Sequence, residues 1–160
     1  MSDIKIGVVS CSGEECFGGT ISRLATRKVL EDLRLGEAVT ICLPLFIAGG
    51  EEERNFAKVY PTVAVDGCSK LCAMRATEKY SGKVNAVVKV DEIIGKEKAL
   101  EKVVSLRELP SDYMELVDKV AQEICKEMDK ISSDILKKQA EEELKNSGEC
   151  SGGCCCCGCK

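Results

Sequence analysis

Thr62-Val63-Ala64-Val65-Asp66-Gly67-Cys68-Ser69-Lys70-Leu71-Cys72-Ala73 decides the fold. Four apolar and β-branched residues, Thr62 to Val65, read as a buried strand. Asp66-Gly67-Cys68 breaks that strand with turn chemistry. A helix is then expected over Ser69 to Tyr80. A strand that passes through a short turn into a helix is half of a βαβ unit.

The same pattern repeats on either side. Ile4 to Val9 is an apolar run of strand type, followed by the loop Ser10 to Gly19 and a helix over Thr20 to Leu33. Ile21, Leu24, Ala25 and Val29 give that helix its apolar stripe. A second strand is expected over Ala38 to Leu43, then a loop through Pro44 and Gly49-Gly50. Glu51 to Val59 reads as a short helix with acidic residues in its first turn, where the helix dipole favours them. Asn85 to Val90 is a fourth strand. Strands alternating with helices imply an α/β fold with a mainly parallel four-stranded sheet. Right-handed crossovers and the doubly wound order 2-1-3-4 follow.

The rest of the chain differs. Glu92 to Glu108 is charged and partly helical, with room for a small edge element. Pro110-Ser111-Asp112 opens a long helix, with Asp112 and Glu115 spaced as a capping box. Tyr113, Val117, Val120, Ile124, Ile131 and Ile135 form one stripe, expected to pack on the sheet. Ser132-Ser133 reads as a weak point, and Ile135 to Leu144 as a solvated arm. A helix unbroken to Asn146 is roughly 50 Å long at about 1.5 Å per residue. That exceeds the ~13 Å radius of gyration of a domain of about 100 residues. Three regions result: an α/β domain over residues 1–95, a charged linker and long helix over 96–146, and a disordered, cysteine-rich tail over 147–160.

Composition narrows the function classes. Hydrophobic residues make up 44% of the 160, enough for a core, but aromatics are 4%, so the core is aliphatic. Net charge is −4 with no basic run, which argues against nucleic acid. No apolar stretch approaches the ~18 residues of a membrane span. The start, Met-Ser-Asp-Ile-Lys-Ile, reads as a strand and not a signal peptide, so a cytoplasmic location is expected.

Twelve cysteines and no histidine remain to be explained. In a reducing compartment clustered cysteines point to metal or catalysis. Without imidazole, a soft-metal site must be built from thiolates, which suit Zn, Cu(I) or an iron–sulfur cluster. Cys11 follows the first strand, Cys42 closes the second and Cys68 follows the third. The carboxyl ends of parallel strands share one edge, where open α/β folds place ligands. Cys72, four residues after Cys68, is expected to share a helix face with it. These four make one thiolate site for zinc or, alternatively, for an iron–sulfur cluster. Cys16 is a fifth candidate, as a replacement ligand or a resolving thiol. The helix N-terminus, with Lys70 and Arg75 near in sequence, is expected to lower the thiol pKa values. Gly67 and Gly13 permit close backbone approach, and Asp66 caps the helix or orients loop amides. A buried cysteine is also an ordinary small core residue, and Cys125, on the apolar helix face, is read that way.

A second group, Cys150, Cys154, Cys155, Cys156, Cys157 and Cys159, lies on the tail. Vicinal cysteines make a poor disulfide framework. On a flexible chain they can wrap a soft metal, forming a mobile second site.

The elements Cys11-Ser12-Gly13, Cys42 and Asp66-Gly67-Cys68-x3-Cys72-Ala73 occur in that order, and in this the chain resembles the DGC-domain family of zinc-binding proteins. The resemblance covers about residues 4 to 95. It implies a small α/β fold and zinc bound through Cys11, Cys42, Cys68 and Cys72. The Glu14-Glu15-Cys16 insertion, the long helix and the tail depart from a minimal member.

Three functions compete: metal or iron–sulfur handling with the tail as a mobile carrier; a thiol oxidoreductase or sulfur-transfer enzyme; and a zinc-stabilised assembly module that docks through the long helix. Enzyme activity is the weaker reading. A phosphatase-type Cys-x5-Arg loop fails, because the sixth residue after Cys11 is Phe17. No histidine serves as a base and no GxxxxGK[ST] loop is present. Expected partners are a metal ion, a protein reached through the helix or tail, and a second copy of the chain in a homo-oligomer.

Overall fold

In the computed structural model, residues 4–11, 13, 15–102 and 111–147 are described. The elements in chain order are β1 (Ile6–Ser10), α1 (Phe17–Lys28), β2 (Ala38–Val39), α2 (Leu45–Ala48), α3 (Glu51–Arg54), α4 (Phe56–Val59), β3 (Thr62–Asp66), α5 (Cys72–Tyr80), β4 (Ala86–Lys89), α6 (Val90–Ile94), α7 (Lys96–Leu100) and α8 (Tyr113–Ser147). A π-helical turn, Val29–Leu33, extends α1. The sheet order is β2-β1-β3-β4, every pairing is parallel, and the 2-1-3-4 expectation holds.

Period-two alternation sends the strand side chains to two faces. Ile6, Val8, Val63, Val65 and Val88 meet α1 and α8. Val9 and Ala64 meet Phe46, Phe56 and Ala73 of the helices on the other face. A side chain at Gly7 would come within 2.7 Å of the Phe56 ring, so glycine there makes room for one of the few aromatics.

Several boundaries move for local reasons. β2 stops at Val39 rather than Leu43. The Thr40 hydroxyl donates to the Val8 carbonyl at 2.7 Å, where the next ladder bond would form. The chain then turns through Cys42–Pro44, with the Leu45 amide on the Cys42 carbonyl at 2.9 Å, and α2 occupies part of the expected loop. The helix expected over Glu51 to Val59 is two short ones, divided at Asn55. Glu53 reaches back to the Gly50 amide at 2.8 Å. The charged stretch after β4 holds two short helices, α6 and α7.

α8 is continuous through Ser132-Ser133, so the weak point is absent. At about 1.5 Å per residue its 35 residues span roughly 52 Å. Leu116, Val117, Val120, Ala121, Ile124, Met128 and Ile131 are buried against α1 and the sheet. The buried residues up to Ile131, with Ile135 partly buried just past the serines, hold the helix where propensity alone is weak. Residues 136–145 are exposed, as expected of an arm. Lys28 pairs with Asp118, and Arg34 with Asp129 at 2.6 Å, tying α8 to α1 and the turn after it. The expected capping box is not formed by Asp112: its carboxylate takes Lys98 of α7 at 2.7 Å, which holds its pKa below the usual carboxylate value. Among the described residues no helix is long and apolar enough to cross a membrane.

Candidate thiol site

β1 ends at Ser10, but its ladder runs one residue further, with the Cys11 amide donating to the Val65 carbonyl at 2.9 Å. Cys11 therefore turns inward at the carboxyl edge of the sheet, 7% exposed. Its Sγ accepts the Gly67 N–H at 3.3 Å and lies 3.4 Å from Ser22 Oγ. The Ser22 hydroxyl donates to the Gly19 carbonyl at 2.7 Å, so its single proton is committed. Burial pushes the Cys11 pKa up; the contacts from Ser22 and Gly67 offset this only in part, and Asp66 and Cys16 add to it. For Cys11 the expected lowering is therefore reversed, because desolvation of a buried thiolate dominates.

Two loops are clamped onto the start of α1 by missing side chains. A Cβ on Gly13, whose φ is +55°, would lie 2.1 Å from Gly19 Cα. A Cβ on Gly67 would lie 2.4 Å from Gly19 N, and one on Gly18 2.3 Å from the Gly67 carbonyl oxygen. The β1–α1 loop and the β3–α5 turn thus close directly on the first turn of α1, as the expected close approach at Gly13 and Gly67 requires. Gly18 and Gly19 were not singled out by sequence reasoning. Their signal is two consecutive glycines at a helix start, where propensity disfavours them.

Asp66, 1% exposed, accepts the Ala73 amide on Oδ1 at 2.7 Å and the Met74 amide on Oδ2 at 3.1 Å. It caps α5 from the end of β3, as anticipated, and both its oxygens are occupied. Burial raises its pKa, and the two amides offset part of that rise.

Between Asp66 and α5 the chain makes a tight turn. The Leu71 amide bonds the Cys68 carbonyl at 3.2 Å, and Leu71 is left-handed at φ +53°. That conformation is costly for a residue with a Cβ. α5 starts at Cys72, so Cys68 lies before the helix and the two cysteines do not share a helix face as expected. The turn delivers both to the same cavity instead.

That cavity, about 440 Å³, lies between the β1–α1 loop and the β3–α5 turn, at the topological switch point between β1 and β3. Cys11, Cys16, Cys68 and Cys72 line it, with Lys70 beside them. Arg75 is exposed on α5 and does not line it. Cys42 is exposed, three residues past the end of β2, and lines a neighbouring cavity of about 320 Å³. Cys11 lines both cavities. Among the described residues no three cysteine or carboxylate side chains converge on one point at metal-binding range. The four thiols ring the space rather than close it. Glu15 also lines the cavity, and four sulfurs without an imidazole are a donor set suited to a soft ion. Cys125 is half-buried against the core between α1 and α8, in keeping with a packing role. Ser12, Glu14 and the tail cysteines from Cys150 to Cys159 lie outside the described residues.

A family model, the DGC domain, matches residues 7–124, from β1 into α8. No curated protein and no solved structure matches the chain. The match spans most of the 160 residues, and the chain belongs to the DGC-domain family.

Proposed function

We propose that this chain is a metal-handling protein that binds a soft ion, zinc by this reading, through Cys11, Cys16, Cys68 and Cys72. The observation that carries it is four thiols lining one cavity at the sheet edge where α/β folds bind ligands. In this reading Cys16 takes the place given to Cys42 on spacing and family resemblance. Bound zinc would supply a closed thiolate centre holding the β1–α1 loop to the β3–α5 turn. Asp66 fixes the start of α5, Gly67 lets the backbone approach, and Lys70 offsets thiolate charge. An iron–sulfur cluster is the alternative occupant of the same four ligands. The tail thiols acquire or pass on the metal, with α8 as the arm that carries them. The compartment assigned is the reducing cytoplasm.

Elemental analysis and an absorption spectrum of anaerobically isolated protein test this. The expected result is about one zinc per chain, lost in Cys68→Ser, Cys72→Ser and Cys16→Ser and kept in Cys42→Ser. A visible charge-transfer band would assign a cluster instead. Metal retained in a Cys16→Ser, Cys68→Ser double variant would overturn the ligand set. Unchanged stoichiometry after truncation at Gly148 would remove the tail from the function.

A second reading, an assembly module docking through α8, is favoured by the exposed arm past Ile135. A monodisperse monomer with no co-purifying partner would count against it.

A further inference from the structure

The arm at the end of α8 is complementary to itself, and we infer that it pairs with the same arm of a second copy of this chain, antiparallel and centred on Ala140. The buried stripe of α8 ends at Ile131, with Ile135 partly buried, and residues 136–145 are all exposed. Within that length Leu136, Ala140 and Leu144 recur every four residues and so share one face. Leu136 is 55% exposed and Leu144 73%. The last turns of α8 thus carry an apolar face directed at solvent.

The charges on either side of Ala140 say what covers that face. Lys137 and Lys138 precede it, and Glu141, Glu142 and Glu143 follow it. Two copies aligned antiparallel about Ala140 set Leu136 against Leu144, Lys137 level with Glu143 and Lys138 level with Glu142, each twice by symmetry. Parallel copies would set lysine against lysine and glutamate against glutamate, so charge selects the antiparallel form. These groups are not spent within the helix. Among the described residues Lys138, Glu141, Glu142 and Glu143 make no ion pair. Lys137 lies 4.0 Å from Asp134, and a pair so exposed is weak. A lysine four residues before a glutamate is also the poorer order for pairing along one helix.

The face is small. Three apolar side chains per copy bury far less than the roughly 800 Å² per partner of a standard interface, so pairing is weak and dilute protein is monomeric. Pairing also redirects the chain. Ser147 lies about 24 Å past Ile131 along α8, at about 1.5 Å per residue. In the pair it stands level with Ser133 of the second copy, so the chain leaves α8 beside the second copy's body. The inference gives the assembly reading of α8 its partner and rests on that reading alone; it needs no metal.

Analytical ultracentrifugation of the full-length protein tests it, with reductant and chelator present so that neither disulfides nor shared metal join chains. From about 10 μM to about 1 mM a reversible monomer–dimer equilibrium is expected, weakening as salt rises because the charge pairs are exposed. Lys137→Glu with Lys138→Glu should weaken the dimer by about tenfold or more, since like charges then face each other at every pair. Adding Glu142→Lys and Glu143→Lys to that variant should restore it. Thermal midpoints in dilute solution should not move, because every changed side chain is exposed. A chain monomeric at all concentrations, a dimer that strengthens with salt, a dimer indifferent to the double reversal, or a fourfold swap that fails to restore it would each overturn the inference. A monomeric chain with another protein bound to the arm would overturn it too, while leaving the assembly reading standing. Zinc content bears on the metal reading alone.

Discussion

Replacing Asp66 by asparagine tests whether the end of β3 organises the start of α5. Asp66 receives two backbone amides, from Ala73 and Met74, and is 1% exposed. Two hydrogen bonds to a charged group contribute about 1.5–3 kcal/mol each before desolvation is counted. Desolvation is large here, since burial raises the Asp66 pKa despite both amides. The net effect of the substitution is therefore smaller than the sum of the bonds. A carboxamide has one acceptor oxygen, and its NH2 must face the other amide as donor against donor. One buried N–H is left unsatisfied, which costs about 1–3 kcal/mol. Asp66→Ala strands both amides and should cost more. Urea unfolding of metal-free, reduced protein across the pH range in which it is folded measures the difference. The pH dependence has a definite sign. A folded-state pKa raised above the ordinary carboxylate value means that stability from this group is fully present in acid and lost as pH rises through the raised value. The advantage of wild type over Asp66→Asn should thus be widest at the acid end of the folded range and narrow towards neutrality. An Asp66→Asn protein within about 0.5 kcal/mol of wild type at all pH values, the range of ordinary surface changes, would refute the capping argument.

Two further outcomes follow from burial. In metal-free protein, alkylation followed by mass spectrometry should modify Cys42 and Cys72, both exposed, well before Cys11, which is buried with a raised pKa; early labelling of Cys11 would contradict its inward placement. Ile124→Ala, at a side chain with no exposure, should cost about 2–5 kcal/mol, while Leu136→Ala, 55% exposed on the arm, should change stability by less than about 0.5 kcal/mol in chemical denaturation; equal effects would mean that the arm is packed.

Much of this architecture is legible locally. β1 and β3 announce themselves as apolar runs of β-branched residues, and the helices between them as 3.6-residue stripes. Order and handedness then follow from general rules of parallel sheets. Asp66 was readable as a cap because an acidic residue between a strand and a helix start has little else to satisfy. Less legible were features in which a side chain competes with a ladder or a turn. Val39 to Leu43 has strand composition, yet the Thr40 hydroxyl takes the Val8 carbonyl and ends the pairing. Ser132-Ser133 has poor propensity, yet the buried residues around it keep α8 whole.

The sequence by itself determined that this is a parallel α/β protein whose cysteines follow its strands, since strand and helix periods and the shared carboxyl edge are properties of the chain and of sheets in general. Which thiols line one cavity was decided only by tertiary structure. Cys16 lines the main cavity and Cys42 the neighbouring one, with Cys11 in both, where glycines 13, 18, 19 and 67 pack closely and β2 ends early. Spacing along a chain orders residues. It cannot say on which side of a loop a thiol emerges, and that side decides which of two neighbouring cavities the thiol lines.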